Sequence, residues 1–287
     1  MTHWRWASTR SFFYPTVPAL RTVVQLKLDS MAVIQTDPFS QAPIFIKMRF
    51  GETELAVGTA FFYKRGGALY LVSNWHNYSG RNPTTKEPMS AHAGVPDNVL
   101  CYACLNQATI SREWLPITLN DDSGPKWLTH PVHGSEVDIG VLPVQLPDRF
   151  RAVVLNELPS TPMRIGVSHD VFVLGYPLGI LDTHGMPIWK RASVATEPGT
   201  SNPKFLLDTA TRSGMSGSPV ILRYRGFYKH DLSAVVPSDE DWFGEGDMFV
   251  GVYSGRLGRS EVEAQLGIVW KAHLIDEIID AGVRAEI

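Results

Sequence analysis

From residue 44 onward the chain is a succession of short apolar runs cut by glycine turns, and this pattern restricts it to β architecture. Residues 44–50 read as a strand, Gly51-Glu52 as a turn, and 55–63 as a second strand. A turn at Lys64-Arg65-Gly66-Gly67 leads into a third strand at 68–73. Further strand candidates are 99–105, 114–119 and 137–144. A proline-bearing break follows at 145–166, and the pattern resumes at 170–174, 188–195, 204–208, 220–224, 248–254 and 267–270. Strands joined in order by tight turns are the material of small barrels and sandwiches. Residues 271–281 differ, with Leu274, Ile275, Ile278 and Ile279 at helical spacing, which predicts an amphipathic C-terminal helix.

The expected architecture is all-β: two six-stranded antiparallel β-barrels with a C-terminal α-helix. The expected boundaries are an N-terminal arm at 1–40, a first barrel at 41–150, a linker at 151–168, a second barrel at 169–270, and the helix at 271–287. At 287 residues, 44% hydrophobic and 19% charged, the chain has ample material for a core. A net charge of −3 gives no global pull toward nucleic acid or an anionic membrane. No apolar run approaches the roughly 18 residues of a membrane span. The first 30 residues carry Arg5, Arg10, Arg21 and Lys27 and no acid before Asp29. That composition fits an organelle-targeting segment, a disordered arm, or an upstream start with Met31 as the natural beginning.

Cys101 and Cys104 form the one C-x-x-C pair, with no second pair to complete a zinc site. On a strand, positions three apart face opposite ways, so the sulfurs are expected to diverge as two free buried thiols. A fold without disulfides suits a reducing compartment, and the expected location is cytoplasmic. His130 and His133 flank Pro131, which argues against a helical metal pair; no metal or other cofactor is expected.

Chemistry concentrates in Ser213-Gly214-Met215-Ser216-Gly217-Ser218-Pro219. A serine between glycines suits a tight turn that exposes a hydroxyl and lets a substrate approach the backbone. Alone this is a weak signal, because Gly and Ser fill ordinary turns. A serine hydroxyl becomes a nucleophile only beside a base, and the base needs a third group to orient it. Among nine histidines, only His76 directly follows a strongly apolar strand. Asp138 is an acid at the mouth of an apolar strand, where burial is costly without a partner.

The chain order His76, Asp138, Ser216 resembles that of serine peptidases of the chymotrypsin (trypsin-like) fold. The likeness is greatest to the compact bacterial high-temperature-requirement type. It rests on Gly58-Thr59-Ala60-Phe61-Phe62, Val72-Ser73-Asn74-Trp75-His76, Asp138-Ile139-Gly140-Val141-Leu142, the run 171–179, the stretch from Asp208 through Pro219, and Gly251-Val252-Tyr253-Ser254-Gly255. The resemblance implies Ser216 as nucleophile, His76 as general base and then acid, and Asp138 as the orienting carboxylate. It also implies an oxyanion hole from the backbone N–H groups of Gly214 and Ser216. Ser254 and Gly255 would lie on the edge that pairs with an extended substrate. The specificity pocket would have Ala210 at its base and Gly255 and Gly267 on its walls, uncharged, so small or apolar P1 residues are expected.

The sequence departs from the family at Ser218, where a glycine is commoner, and at Asn74-Trp75, which replace two small residues. The interaction domain of the high-temperature-requirement group is not expected here. The acid-bearing segment 223–247 reads as a solvated surface loop, with an acidic flap that recruits a basic partner as the sharper alternative. The implied partners are protein or peptide substrates and a regulatory protein. An α/β-hydrolase esterase would need the order Ser, acid, His and alternating helices. The remaining rival is a peptidase-fold scaffold that binds without cutting.

Overall fold

Burial alternates cleanly along Asn98–Cys104 and Lys204–Asp208, while strands such as Pro43–Phe50 and Thr53–Arg65 carry continuous buried runs that pack on both faces. The computed structural model describes residues 36–90, 93–107, 111–229, 236, 238–239, 241–257 and 265–287. Residues 1–35, with the arm and its targeting signature, lie outside the described residues, and the account below concerns 37–287.

The first half contains β1 (Pro43–Phe50), β2 (Thr53–Arg65), β3 (Ala68–Ser73), α1 (Trp75–Ser79), β4 (Asn98–Cys104) and β5 (Arg112–Thr118). It continues with a two-residue hairpin, β6 (Asn120–Asp121) and β7 (Gly124–Pro125), and then β8 (Gly140–Pro143). Six of these strands form one antiparallel sheet in the order β5-β4-β1-β2-β3-β8. The second half holds β9 (Asp170–Gly175), β10 (Ile188–Val194), β11 (Lys204–Asp208), β12 (Pro219–Tyr228), β13 (Trp242–Arg256) and β14 (Leu266–Lys271), followed by α2 (His273–Ala281). These strands close into a barrel in the order β10-β11-β14-β13-β12-β9. The all-β class, with two six-stranded antiparallel units and a terminal helix, is as expected. Hydrogen-bonded closure belongs to the second unit; in the first, among the described residues, β5 and β8 are end strands that do not pair with each other.

Each half has its own core. Ile46, Phe62, Leu71, Tyr78, Trp127 and Leu142 anchor the first, and Val173, Leu207, Met215, Val220 and Val269 the second. A third cluster joins them, where Phe61, Val72 and Ile139 meet Leu174, Ile221, Val252 and the buried face of α2. Cys101 and Cys104 are free thiols buried on β4. Burial pushes the Cys101 thiol well above its ordinary range, which keeps it protonated and inert.

Three local readings change. His76 sits in the first turn of α1 rather than at a strand end, because Asn74 adopts an extended N-cap conformation and Gly80, at φ 65°, ends the helix after one turn and a half. Asp138 precedes β8 rather than lying within it. The 223–247 segment is largely a hairpin: β12 and β13 stay paired out to Tyr228 and Trp242. Two of its acids are spent inside that ladder, Asp247 on Arg223 and Glu245 on Arg225. Tyr224, Tyr228 and Trp242 stack across it, leaving Phe227 and Phe243 exposed.

Candidate active site

The carboxylate of Asp138 is 2% exposed, a position that requires partners for both oxygens. Both find them. Oδ1 accepts from the backbone N–H of His76 at 2.9 Å, and Oδ2 meets His76 Nδ1 at 2.6 Å. The Ser254 hydroxyl also donates to Oδ2. Asn74 fixes the backbone by donating from Nδ2 to the Asp138 carbonyl at 2.7 Å. With Nδ1 committed to the carboxylate, the imidazole presents Nε2 as its free nitrogen. His76 and Ser216 line one cavity of about 210 Å³, together with Ser213 and Gly214.

The turn around Ser216 is held by the other half of the molecule. Thr59 on β2 donates its N–H to the Ser216 carbonyl at 2.8 Å and its hydroxyl to the Gly214 carbonyl at 2.9 Å. Asn77 Nδ2 reaches the same Ser216 carbonyl at 3.2 Å, and Ser73 Oγ donates to the Thr59 carbonyl at 2.7 Å. On the near side, Leu178 N–H donates to the Ser213 carbonyl at 2.6 Å. In a trans peptide, N–H and C=O point oppositely. That bond therefore aims the Gly214 N–H away from Leu178. Among the described residues the N–H groups of Gly214 and Ser216 donate to no partner.

Close approach explains the glycines here. Gly214 has φ 92° and Gly217 φ 86°. A side chain at 217 would collide with the Thr59 carbonyl and the Ser73 hydroxyl, and one at 214 with the Tyr176 carbonyl. Ser218 is fully buried with its hydroxyl unpaired among the described residues, and it fits because Gly175 opposite has no Cβ. Trp75 finds its room by packing edge-on against Trp127 at 6.1 Å, under Lys86.

The remaining candidates lie on the far side of Ser216. A β-bulge on β13 opposes Tyr253 to Val269 and Gly255 to Ile268, so Ser254 is the extra residue and its side chain turns to Asp138. Sequence reasoning assigned the Ser254 side chain no role of its own; its hydroxyl serves the Asp138 carboxylate. Gly255 follows at φ 119°. β12 pairs with β13 as far as Val252, and Tyr253 still bonds to Gly217 and Ser218; beyond Tyr253, among the described residues, the ladder continues on the β14 side. Ala210 is half-buried between the buried Thr209 and Thr211. Beside them the Tyr253 ring is 1% exposed, its hydroxyl bonded to Thr211 Oγ1 and its edge filling the space a side chain at Gly267 would take. Burial raises the Tyr253 pKa to about 12, so the hydroxyl stays neutral at ordinary pH. None of Ala210, Ser254, Gly255 and Gly267 lines the cavity shared by His76 and Ser216.

His130 and His133 stack on each other, and His130 Nδ1 accepts from the Val132 and His133 N–H groups, closing the Pro131 turn. Sequence reasoning gave no role to Thr59, Ser73 and Asn77, although all three flank or belong to the motifs around His76. Their small polar side chains beside buried glycine and histidine were the available signal.

The trypsin-like peptidase domain profile matches residues 58–226, from within β2 to within β12. A comparison with curated proteins gives no match. Among solved structures, the Rv3671c protease of M. tuberculosis in its active form is similar at 15% identity and TM-score 0.43, over 98% of this chain and 96% of that one. A serine endoprotease from Yersinia pestis is similar at 12% identity and TM-score 0.45, over 87% of this chain and 68% of that one. The profile covers more than half of the sequence and contains the cavity residues His76, Gly214 and Ser216; this chain belongs to the trypsin-like peptidase domain family.

Proposed function

We propose that the protein is a serine endopeptidase that cuts protein substrates through an acyl-enzyme, with Ser216 as nucleophile, His76 as base and acid, and Asp138 as the orienting group. The observation that carries this reading is the pair of bonds from His76 to one buried carboxylate, with Ser216 on the wall of the same cavity. Asp138 fixes the tautomer in which Nε2 accepts the Ser216 proton, and it stabilises the imidazolium that results. The N–H groups of Gly214 and Ser216 are unspent and aimed by pinned peptides, the requirement for an oxyanion hole. Each such donor contributes about 2.7–4 kcal/mol in comparable enzymes. His76 then returns its proton to the leaving amine, and water repeats the sequence to release the acyl group.

The substrate backbone adds as a strand along Ser254 and Gly255, where β13 has an open edge. The P1 side chain enters toward Ala210, over a floor of two neutral hydroxyls, Thr211 and Tyr253, narrowed by the Tyr253 ring against Gly267. Such a floor accepts small or apolar residues and offers no counter-charge to Lys or Arg. A fluorophosphonate probe should label the wild type and not Ser216→Ala, and a peptide library should show cuts after small or apolar P1 residues. Folded wild-type protein that resists the probe would overturn the reading in favour of a non-cleaving scaffold.

A further inference from the structure

The cavity at Ser216 has none of the pocket candidates Ala210, Gly255 and Gly267 in its lining, so its walls are not those expected from the sequence. Beyond His76, Ser213, Gly214 and Ser216, it is lined by Met48, Leu55, Ala56 and Val57 from β1 and β2. Asn77, Gly80, Met89, Ser90, Gly94 and Pro96, from α1 and the segment after it, line the other side. Among the described residues, no Asp, Glu, Lys or Arg side chain lines it. Leu55 is there because of a β-bulge: Met48 opposes Ala56 and Arg49 opposes Glu54, so Leu55 is the extra residue of β2. Bulges re-aim side chains, and this one sets Leu55 against Gly94, where a Cβ would come within 2.7 Å of the Leu55 Cδ2 atom. The opposite wall is tied to α1, with Met89 N–H donating to the Gly80 carbonyl at 2.8 Å and Pro96 resting on Gly80. These two walls converge on a predominantly apolar recess, with Asn77 and Ser90 as its polar members, that begins at His76 and Ser216.

We infer that this recess is a specificity pocket for the side chain immediately after the scissile bond, and that it selects an apolar residue there. The inference rests on the proposed peptidase mechanism. His76 must protonate the leaving amine, so the amine and the first residue attached to it lie on the His76 side of Ser216. At about 210 Å³ the recess is smaller than the roughly 300–1,000 Å³ of a whole small-molecule site and suits a single side chain. Leu, Met, Ile or Phe at this position should be cut about tenfold or more faster than Gly, the discrimination hydrophobic pockets reach.

The test is cleavage of a peptide library randomised after the scissile bond, with fluorophosphonate labelling of the same preparation. A second readout is acyl transfer, in which leucinamide and glycinamide compete for the acyl-enzyme. The expected result is an apolar preference in both assays that shrinks at least threefold in Leu55→Ala. Met89→Glu alters a residue that is 58% exposed and poses little risk to folding, and it should move the preference toward Lys and Arg. Labelled protein with a flat profile, or variants with the wild-type profile, would overturn the pocket assignment alone. Unlabelled protein that cuts nothing would overturn both it and the mechanism beneath it.

Discussion

Asp138 has a buried carboxylate with three donors and a single imidazole to orient, so its replacement separates charge from geometry. Asp138→Asn keeps the shape but offers Nδ2 where an acceptor is required, which forces His76 toward the wrong tautomer. We expect kcat to fall about 10⁴-fold with folding intact, the scale seen when this group is altered in a Ser-His-Asp triad. Stopped assays on a labelled peptide, with circular dichroism as the folding control, would measure it; a loss under tenfold would remove Asp138 from the mechanism. At this scale much was legible in the sequence. His76, Asp138 and Ser216 each sit in a short motif whose local chemistry can be read without coordinates. The bond from the Ser254 side chain to Asp138 was not legible, because its direction is set by a bulge in pairing with β14, a property of two strands that neither sequence states. The Tyr253 ring was invisible for the same reason: only the barrel brings it against Gly267.

Elements carry the site through two bulges and one crossing. The β13 bulge turns Ser254 to the carboxylate and the β2 bulge turns Leu55 to the cavity, while Thr59 on β2 spans the gap to the nucleophile turn. Gly217 is the tightest point of that crossing, with φ 86° and a first-half carbonyl and hydroxyl where a Cβ would stand. Gly217→Ala therefore meets both a backbone penalty of about 1 kcal/mol or more and a steric one. We expect Tm to fall by at least about 4 °C, at roughly 2–4 °C per kcal/mol for a domain of this size. Peptidase activity should fall further than stability explains. Gly124→Ala, at φ 103° but in open space on the small hairpin, should lose some stability and keep activity. Equal effects of the two substitutions on activity would show that the Thr59 crossing does not position Ser216. Strand positions were legible from short apolar runs and turn glycines; the one-and-a-half-turn helix α1 was not, since five residues are too few for a helical period to show.

The whole molecule places the proposed reacting groups on a joint. His76 and Asp138 come from the first half and Ser216 from the second, so their separation depends on how firmly the halves are held together. The terminal helix follows the second barrel in sequence yet binds both: Leu274, Ile275 and Ile278 enter the shared core beside Phe61, Val72 and Ile139. Tyr63 donates to Asp276 at 3.0 Å, and Arg65 pairs with Asp276 and Asp280 at the rim. Those rim pairs are exposed and contribute little, so the apolar face does the fastening. Ile275 is fully buried, and Ile275→Ala should cost about 2–5 kcal/mol by lost burial and the cavity left behind. If the shared core makes the halves one cooperative unit, heating this variant gives a single transition at lower temperature. Tryptophan fluorescence and far-UV circular dichroism should then coincide, and activity should vanish at the same midpoint. Activity lost well below the unfolding midpoint would instead mean that the halves shift on each other before either one melts. Two resolved transitions would show that α2 belongs to one half alone and that the joint is held by the Thr59 crossing.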